Sequence, residues 1–267
     1  MSPASTEMLD DLGLAGSIIA CDTQSPKYVS DLPSGIPQFD MMTPDNEQIV
    51  ALKPDIVFTT GMSSHGGTDV YQSARDAGIC VAEIPSSTSI SAIQDDIRFV
   101  AACTGAADGG KKIIDTMQSG IDEVSAIGSK ITDQKSVLFE ISGSPKIYSA
   151  GKDTFIDEMI TLIGARNVTG DQKSWIALTD EAAIAANPDV ILTGANTSDD
   201  PVGDILSLPG WENVTAVRNK AVAYIDNASI MIPSENIVEG LREMAVAVYP
   251  DAYASVAEEI TGNDAAA

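Results

Sequence analysis

The chain has one histidine, three cysteines, two tryptophans and 15 basic residues against 39 acidic ones, in a length of 267. Each shortage excludes something. One histidine, His65 in "SSHGG", with three scattered cysteines cannot assemble a zinc site of the His/Cys type. A Ser-His-Asp triad would need a serine presented on a G-x-S-x-G turn, and there is none, so His65 reads as a loop residue. Cys21, Cys80 and Cys103 show no C-x-x-C spacing and cannot all pair; Cys80 in "ICVAEI" and Cys103 in "FVAAC" read as small buried thiols. A formal net charge of −24 repels phosphate backbones and anionic lipid, which argues against nucleic acid as a partner. No apolar run approaches the roughly 18–20 residues that a membrane span needs. The opening "MSPASTEML" has neither a basic nor an apolar leader region, so no secretion signal is expected within it.

What is present is the composition of a soluble globular protein, 44% hydrophobic and 20% charged, long enough for two domains. Ser2-Pro3 reads as the cap and first residue of a helix "PASTEMLDDL" that stops at Gly13. "SIIAC" reads as a buried strand, followed by a loop from Asp22 to Thr43. Asp45 can cap a short helix ending at Lys53, which Pro54 cannot continue. Then come strand "IVFTT", helix "VYQSARDA", strand "ICVAEI" and helix "SISAIQDDIRFVAAC". Strands that alternate with helices imply βαβ units and parallel sheets. Over residues 106–131 the pattern changes: Ile113, Met117, Ile121, Val124 and Ile131 recur at helical spacing, enough for a helix of roughly 35–40 Å. Alternation then resumes with "SVLFEI", "TFIDEMITLIGA", "EAAIAA", "DVILT", "AVAYI" and "SENIVEGLREMAVAV". The expected fold is α/β, two lobes with parallel sheets: an N-terminal lobe over 1–105, a linking helix over 106–131 and a C-terminal lobe over 132–267.

One unit occurs twice. "DNEQIVALKPDIVFTTG" from Asp45 and "TDEAAIAANPDVILTG" from Thr179 match at Glu47 and Glu181, Ala51 and Ala185, and Pro54-Asp55 and Pro188-Asp189. Complementing a helix dipole, worth roughly 0.3–1 kcal/mol, would explain either glutamate alone. It does not explain the repetition. "GAADGGKK", Gly105 to Lys112, matches G-x-x-x-x-G-K, but Lys112 stands where a phosphate loop needs Ser or Thr, and a helical pattern precedes it where a strand is required. Neighbouring carboxylates such as Asp95-Asp96 and Glu258-Glu259 point to different sides of a helix and read as solvated.

"SPASTEMLDDLGL", "NEQIVALKPDIVFT", "YSAGKDTFIDEMITLIGARNV", "WIALTDEAAIAANPDVIL", "GWENVTAVRNKAVAYID" and "MAVAVYPDAY" stand in this order along nearly the whole chain. Together they resemble the substrate-binding proteins of ABC importers for cobalamin, haem and iron–siderophore complexes. The resemblance implies two Rossmann-like lobes joined by one long helix, and a monomeric, non-enzymatic receptor without a cofactor or a resident metal. In that family a glutamate on each lobe docks onto basic residues of the permease dimer, a role carried here by Glu47 and Glu181. The chelate is expected between the lobes, against Phe39, Met41, Met42 and Thr60 of the first and Tyr148 and Trp175 of the second. "DNASIM", with Asn227 and Met231, should close the pocket. Flat aromatic and thioether side chains suit a bulky, partly apolar chelate, and Lys152 is the one evident basic group. The resemblance also implies an extracytoplasmic location, with a short strand and a leader ahead of the "SPASTE" segment, where Met1 stands here. Two alternatives use the same cleft. A two-lobed α/β enzyme would need cysteine or histidine ligands there, and a non-transport sensor would be expected to lack a docking glutamate.

Overall fold

The computed structural model describes residues 2–63, 69–144 and 146–264, so His65 lies outside the described residues. The chain divides into two compact units. The first comprises Met1–Ser87, Ser91–Asp115 and Pro233–Glu235, and the second Thr88–Ile90, Thr116–Ile232 and Asn236–Ala267.

In the first unit Ser2 caps α1 (Pro3–Asp11), its Oγ accepting the Ser5 N–H at 3.2 Å. β1 (Cys21–Asp22) pairs in parallel with β2 (Gln38–Phe39). After α2 (Asn46–Leu52), β3 (Ile56–Thr60) pairs in parallel with β4 (Cys80–Ile84), and α3 (Gln72–Asp76) crosses between them. Phe39, Ile49, Val57, Tyr71, Ala74 and Val81 form the core. The strand expected over "SIIAC" is shorter than its apolar run. Residues Ala15–Ser17 close a 3-10 turn whose N–H groups bond inward, Ser17 to Leu14 and Ile18 to Ala15, so the ladder begins only at Cys21. A cavity of about 580 Å³ borders β1 of one two-stranded sheet and β3 of the other, lined by Leu9, Ile18, Cys21, Ile49, Val57 and Phe58 among others.

Two thiols depart from expectation. Cys21 is buried, but Cys80 and Cys103 are exposed, because each ends an element: Cys80 is the first residue of β4 and Cys103 the last of α4 (Ile90–Cys103). The "GAADGGKK" stretch runs from the turn after α4 into α5 (Ala107–Gly128), with Gly105 at φ +72, so a helix stands where a phosphate loop needs a strand.

Met117, Ile121 and Val124 are buried along α5, as their spacing predicts. The helix ends at Gly128, short of the expected residue 131. A side chain at Gly128 would meet the Leu162 carbonyl oxygen at 2.1 Å, and Ile131 N–H turns back to the Gly128 carbonyl. In the second unit the order is β5 (Ser136–Glu140), β6 (Ile147–Ala150), α6 (Phe155–Leu162), β7 (Arg166–Asn167), β8 (Trp175–Leu178), α7 (Asp180–Ala186) and β9 (Val190–Thr193). There follow α8 (Pro201–Leu206), α9 (Thr215–Arg218), β10 (Val222–Tyr224), α10 (Asn227–Met231), α11 (Ile237–Val248) and α12 (Ala254–Asp264). Four of these strands make a parallel sheet in the order β10-β9-β5-β7. Every residue of β5 and β9 is buried, the signature of a parallel sheet covered on both faces. β6 and β8 form a separate antiparallel pair, which the expectation of parallel sheets did not include.

The repeated sequence unit is a repeated structure. Asp45 Oδ1 accepts the Gln48 N–H at 3.0 Å to start α2, and Thr179 Oγ1 accepts the Ala182 N–H at 3.3 Å to start α7. Both helices stop at a residue in the left-handed region, Lys53 at φ 51 and Asn187 at φ 43, ahead of Pro-Asp and a strand. Asp189 then fastens β9 to β5: its carboxylate accepts from Ser136 N at 2.8 Å and Ser136 Oγ at 2.7 Å. Those bonds hold the Asp189 carboxyl below the ordinary aspartate range. A lowered pKa in the folded state means stabilisation that is present above the unfolded value and lost as pH falls through the folded one. Asp189→Ala should therefore cost about 2 kcal/mol in urea unfolding near neutrality, with the difference from the parent closing in acid below the ordinary aspartate range.

Candidate functional site

In the second unit the site is built on the β6–β8 pair. Its register sets Tyr148 opposite Ala177 and Ala150 opposite Trp175. With a side-chain period of two, Tyr148 and Trp175 therefore project from the same face. They are 41% and 43% exposed, so two large rings stand out of the surface on one face of the pair. Each is held by a neighbour. Phe155 meets Trp175 edge to face at 5.8 Å between ring centroids and 73° between planes. The Lys146 ammonium lies 4.9 Å from the Tyr148 centroid.

The backbone ahead of Trp175 fixes where it points. Gly151 N–H donates to the Ser174 carbonyl at 2.9 Å, Lys152 N–H to Gln172 O at 2.8 Å, and Ser174 N–H to Lys152 O at 2.8 Å. Ser174 takes φ 67, and a Cβ on Gly151 would stand 2.3 Å from the Gln172 carbonyl oxygen. Glycine is required at 151 because two backbones pass at contact distance. Within the same unit Asp226 caps α10, accepting the Ser229 N–H at 3.0 Å. Asn227 donates from Nδ2 to the Gly194 carbonyl at 2.6 Å, and Met231, half-buried, is the last residue of that helix.

The first unit presents its own candidates. Asp40 Oδ1 accepts the N–H groups of Met42 at 2.7 Å and Thr43 at 3.3 Å, and the Tyr71 hydroxyl donates to the Met41 carbonyl at 3.4 Å. Met42 is exposed and Met41 half-buried. Thr60 ends β3, half-buried, with its Oγ1 accepting the Met62 N–H at 3.4 Å. Phe39 is only 5% exposed and packs in the core with Ile49 and Val57, so its ring does not stand on the surface as Met42 does. Met62, an exposed thioether two residues beyond β3, was not singled out by sequence; its polar, glycine-flanked setting gives no periodic signal.

Glu47 and Glu181 occupy the same position, second in the first turn of α2 and of α7, and both are exposed. The Glu181 carboxyl is held below the ordinary glutamate range by its own backbone N–H and by the Thr179 hydroxyl. Among the described residues no group of three or more His, Cys, Asp and Glu could hold a metal ion.

A family model described as periplasmic binding protein matches residues 1–228. The chain belongs to the periplasmic binding protein family. The ABC transporter substrate-binding lipoprotein YvrC of Bacillus subtilis is 30% identical over 257 residues, covering 95% of this chain and 80% of that protein. A cobalamin-binding protein of Halobacterium salinarum is 28% identical over 213 residues, 76% of this chain but only 55% of that relative's length. Among solved structures, the periplasmic heme-binding protein RhuT from Roseiflexus sp. RS-1, in apo form, superposes with a TM-score of 0.80 at 25% identity, covering 94% of this chain and 97% of that one. The parallel-sheet α/β architecture is that of this family.

Gly151→Ala should displace the Gln172–Ser174 segment and with it Trp175, at a cost of about 1–3 kcal/mol. Trp211 is fully buried, so the exposed component of the emission belongs to Trp175. The expected outcome is a change in that component alone, with a lower melting temperature. An unaltered emission spectrum would mean that Gly151 does not set the position of the ring.

Proposed function

We propose that this chain is the solute-binding component of an ABC importer. As a monomer outside the cytoplasm, it captures a metal chelate (an iron–siderophore complex, haem or a cobamide) and passes it to the permease dimer. The observation that carries the reading is the exposed pairing of Tyr148 and Trp175 on one face of the β6–β8 sheet. Two aromatic rings side by side, each braced from behind or beside, offer a flat apolar wall suited to a macrocycle or a bulky chelate. The substrate-binding lipoprotein, the cobalamin-binding protein and the heme-binding protein among its relatives support the same class of ligand and the extracytoplasmic location. By family resemblance, Phe39, Met41, Met42 and Thr60 of the first unit and Asn227 and Met231 of the second are the further ligand contacts of this reading. The chain acts by binding and release, not by catalysis.

The matched glutamates support the transport half of the reading. A permease dimer has two equivalent surfaces, and a receptor with two homologous lobes can offer each the same carboxylate. Glu47 and Glu181 are set alike by their capped helices, and the −24 charge of the chain steers it towards a basic partner. Glu47→Lys and Glu181→Lys should each weaken docking to the permease about tenfold or more while leaving chelate affinity within about twofold. Loss of chelate binding in both variants would place these carboxylates in the pocket instead.

Of the basic groups beside the aromatic wall, the Lys146 ammonium lies over the Tyr148 ring and Lys173 is paired with Asp153 at 3.3 Å. That leaves few cations for catecholates, which need several Arg or Lys, and favours chelates of low net charge. Titrating a coloured chelate of low charge should quench Trp175 emission, and Trp175→Phe should remove most of the quenching. Tight binding of a ferric catecholate, with no response to neutral chelates, would contradict this choice of ligand.

A further inference from the structure

The repeat that sets Glu47 and Glu181 alike extends beyond their two short helices. α1 and α6 end in the same way. Leu14 N–H donates to the Leu9 carbonyl at 2.8 Å and Ala165 N–H to the Ile160 carbonyl at 3.1 Å, across glycines in the left-handed region, Gly13 at φ 75 and Gly164 at φ 81. The strand after each helix, β1 or β7, closes on a polar side chain that accepts an N–H two residues on. Asp22 takes that of Gln24 at 2.8 Å, and Asn167 that of Thr169 at 3.1 Å. β3 and β9 each follow a Pro-Asp pair and lie in parallel with the next long strand, β4 or β10.

The two units differ at one place. In the second, β5 lies between β7 and β9, parallel to both, and every one of its residues is buried. In the first, the counterparts β1 and β3 belong to separate two-stranded sheets, and the cavity of about 580 Å³ borders both. Close-packed interiors leave few voids larger than a water molecule, so a space of that size between two strands, walled by Leu9, Ile49 and Phe58, is room for a further element. Asp55 marks the same place chemically. It corresponds to Asp189, whose carboxylate accepts from the N–H and the hydroxyl of Ser136 at the start of β5, and it lines the cavity. The first turn of α1 is there too: Ser5 and Thr6 line the cavity, and Ser2, which caps that helix, is buried.

We propose that this cavity is the seat of one further strand, the counterpart of β5, carried by the polypeptide that leads into Ser2 and captured at its first residue by Asp55. The strand runs parallel to β1 and β3 and joins their two sheets into one. Its place in the chain follows the second unit, where β5 precedes α6 and α6 precedes β7. Its chemistry follows as well. Serine or threonine at the first position gives Asp55 an N–H and a hydroxyl to accept from, and the residues after it are apolar on both faces, as in a covered parallel sheet. The edges of β1 and β3 supply the main-chain bonds, as in strand addition generally, and the apolar walls select the side chains. This seat does not rest on the function proposed above.

The test uses a synthetic peptide with the sequence of residues 135–141, KSVLFEI, on the 267-residue chain. Calorimetry should find one peptide bound per chain, and amide exchange should show protection of Cys21–Asp22 and Ile56–Thr60 rising about tenfold or more. Asp55→Ala in the chain should weaken binding about tenfold, Ser136→Ala in the peptide should do the same, and the two together should lose little more than either alone. A chain carrying the same seven residues ahead of Met1 should protect both strands unaided and take up no free peptide. A scrambled peptide that binds equally well, or protection of neither strand in the fused chain, would overturn the proposal. Undiminished uptake of free peptide by the fused chain would overturn the placement ahead of Ser2.

Discussion

A seven-residue helix that must stop at one left-handed residue, because proline follows, organises both lobes of this protein. This left-handed conformation costs Lys53 roughly 1–2 kcal/mol, and Asn187, whose short amide side chain tolerates it, less. In return the chain reverses at once and enters a buried parallel strand at Pro-Asp. The cap at the other end, Asp45 or Thr179, fixes the first turn and with it the glutamate at its second position. Because only seven helical residues separate the cap from the stop, the carboxylate cannot drift relative to the sheet that follows. Placing one glutamate per lobe is thus a consequence of backbone constraints, repeated because the whole unit is repeated.

The aromatic wall depends on a different constraint. An antiparallel pair beside a parallel sheet has one face that no helix need cover, and β6–β8 leaves Tyr148 and Trp175 on that face. The approach of Gly151 to Gln172 sets the angle of the pair at one end, and the turn between Glu140 and Tyr148 sets it at the other. Both ends use close backbone contact and buried polar groups, not apolar packing. Such sites are specific in position and sensitive to single atoms.

Much of this was legible in the sequence, for a physical reason. Elements that bury one stripe or a whole strand must repeat apolar residues at 3.6 or in runs, so α5, β5, β9 and the capped helices α2 and α7 announce themselves. The β6–β8 pair did not. "KIYSAGK" and "KSWIAL" are four-residue strands with polar flanks, and their exposed positions are aromatic, which blurs the alternation of a half-buried strand. "SIIAC" misled in the opposite direction, because an apolar run says nothing of where its N–H groups bond. Cys80 and Cys103 likewise sit in apolar runs but at element ends, where neighbours no longer cover them. Phe39, placed at the site by its motif, is a core residue by contact.

The central claim is that the exposed aromatic wall belongs to a receptor for a bulky metal chelate of low net charge. Equilibrium dialysis of the full chain against separate ferric hydroxamate, haem, cobamide and ferric catecholate solutions tests it most directly, with retained metal measured in each case. The account predicts that one of the first three is retained at one chelate per chain and that retention falls sharply in a Tyr148→Ala, Trp175→Ala double variant. Retention of none of them, or retention that the double variant leaves unchanged, would contradict it.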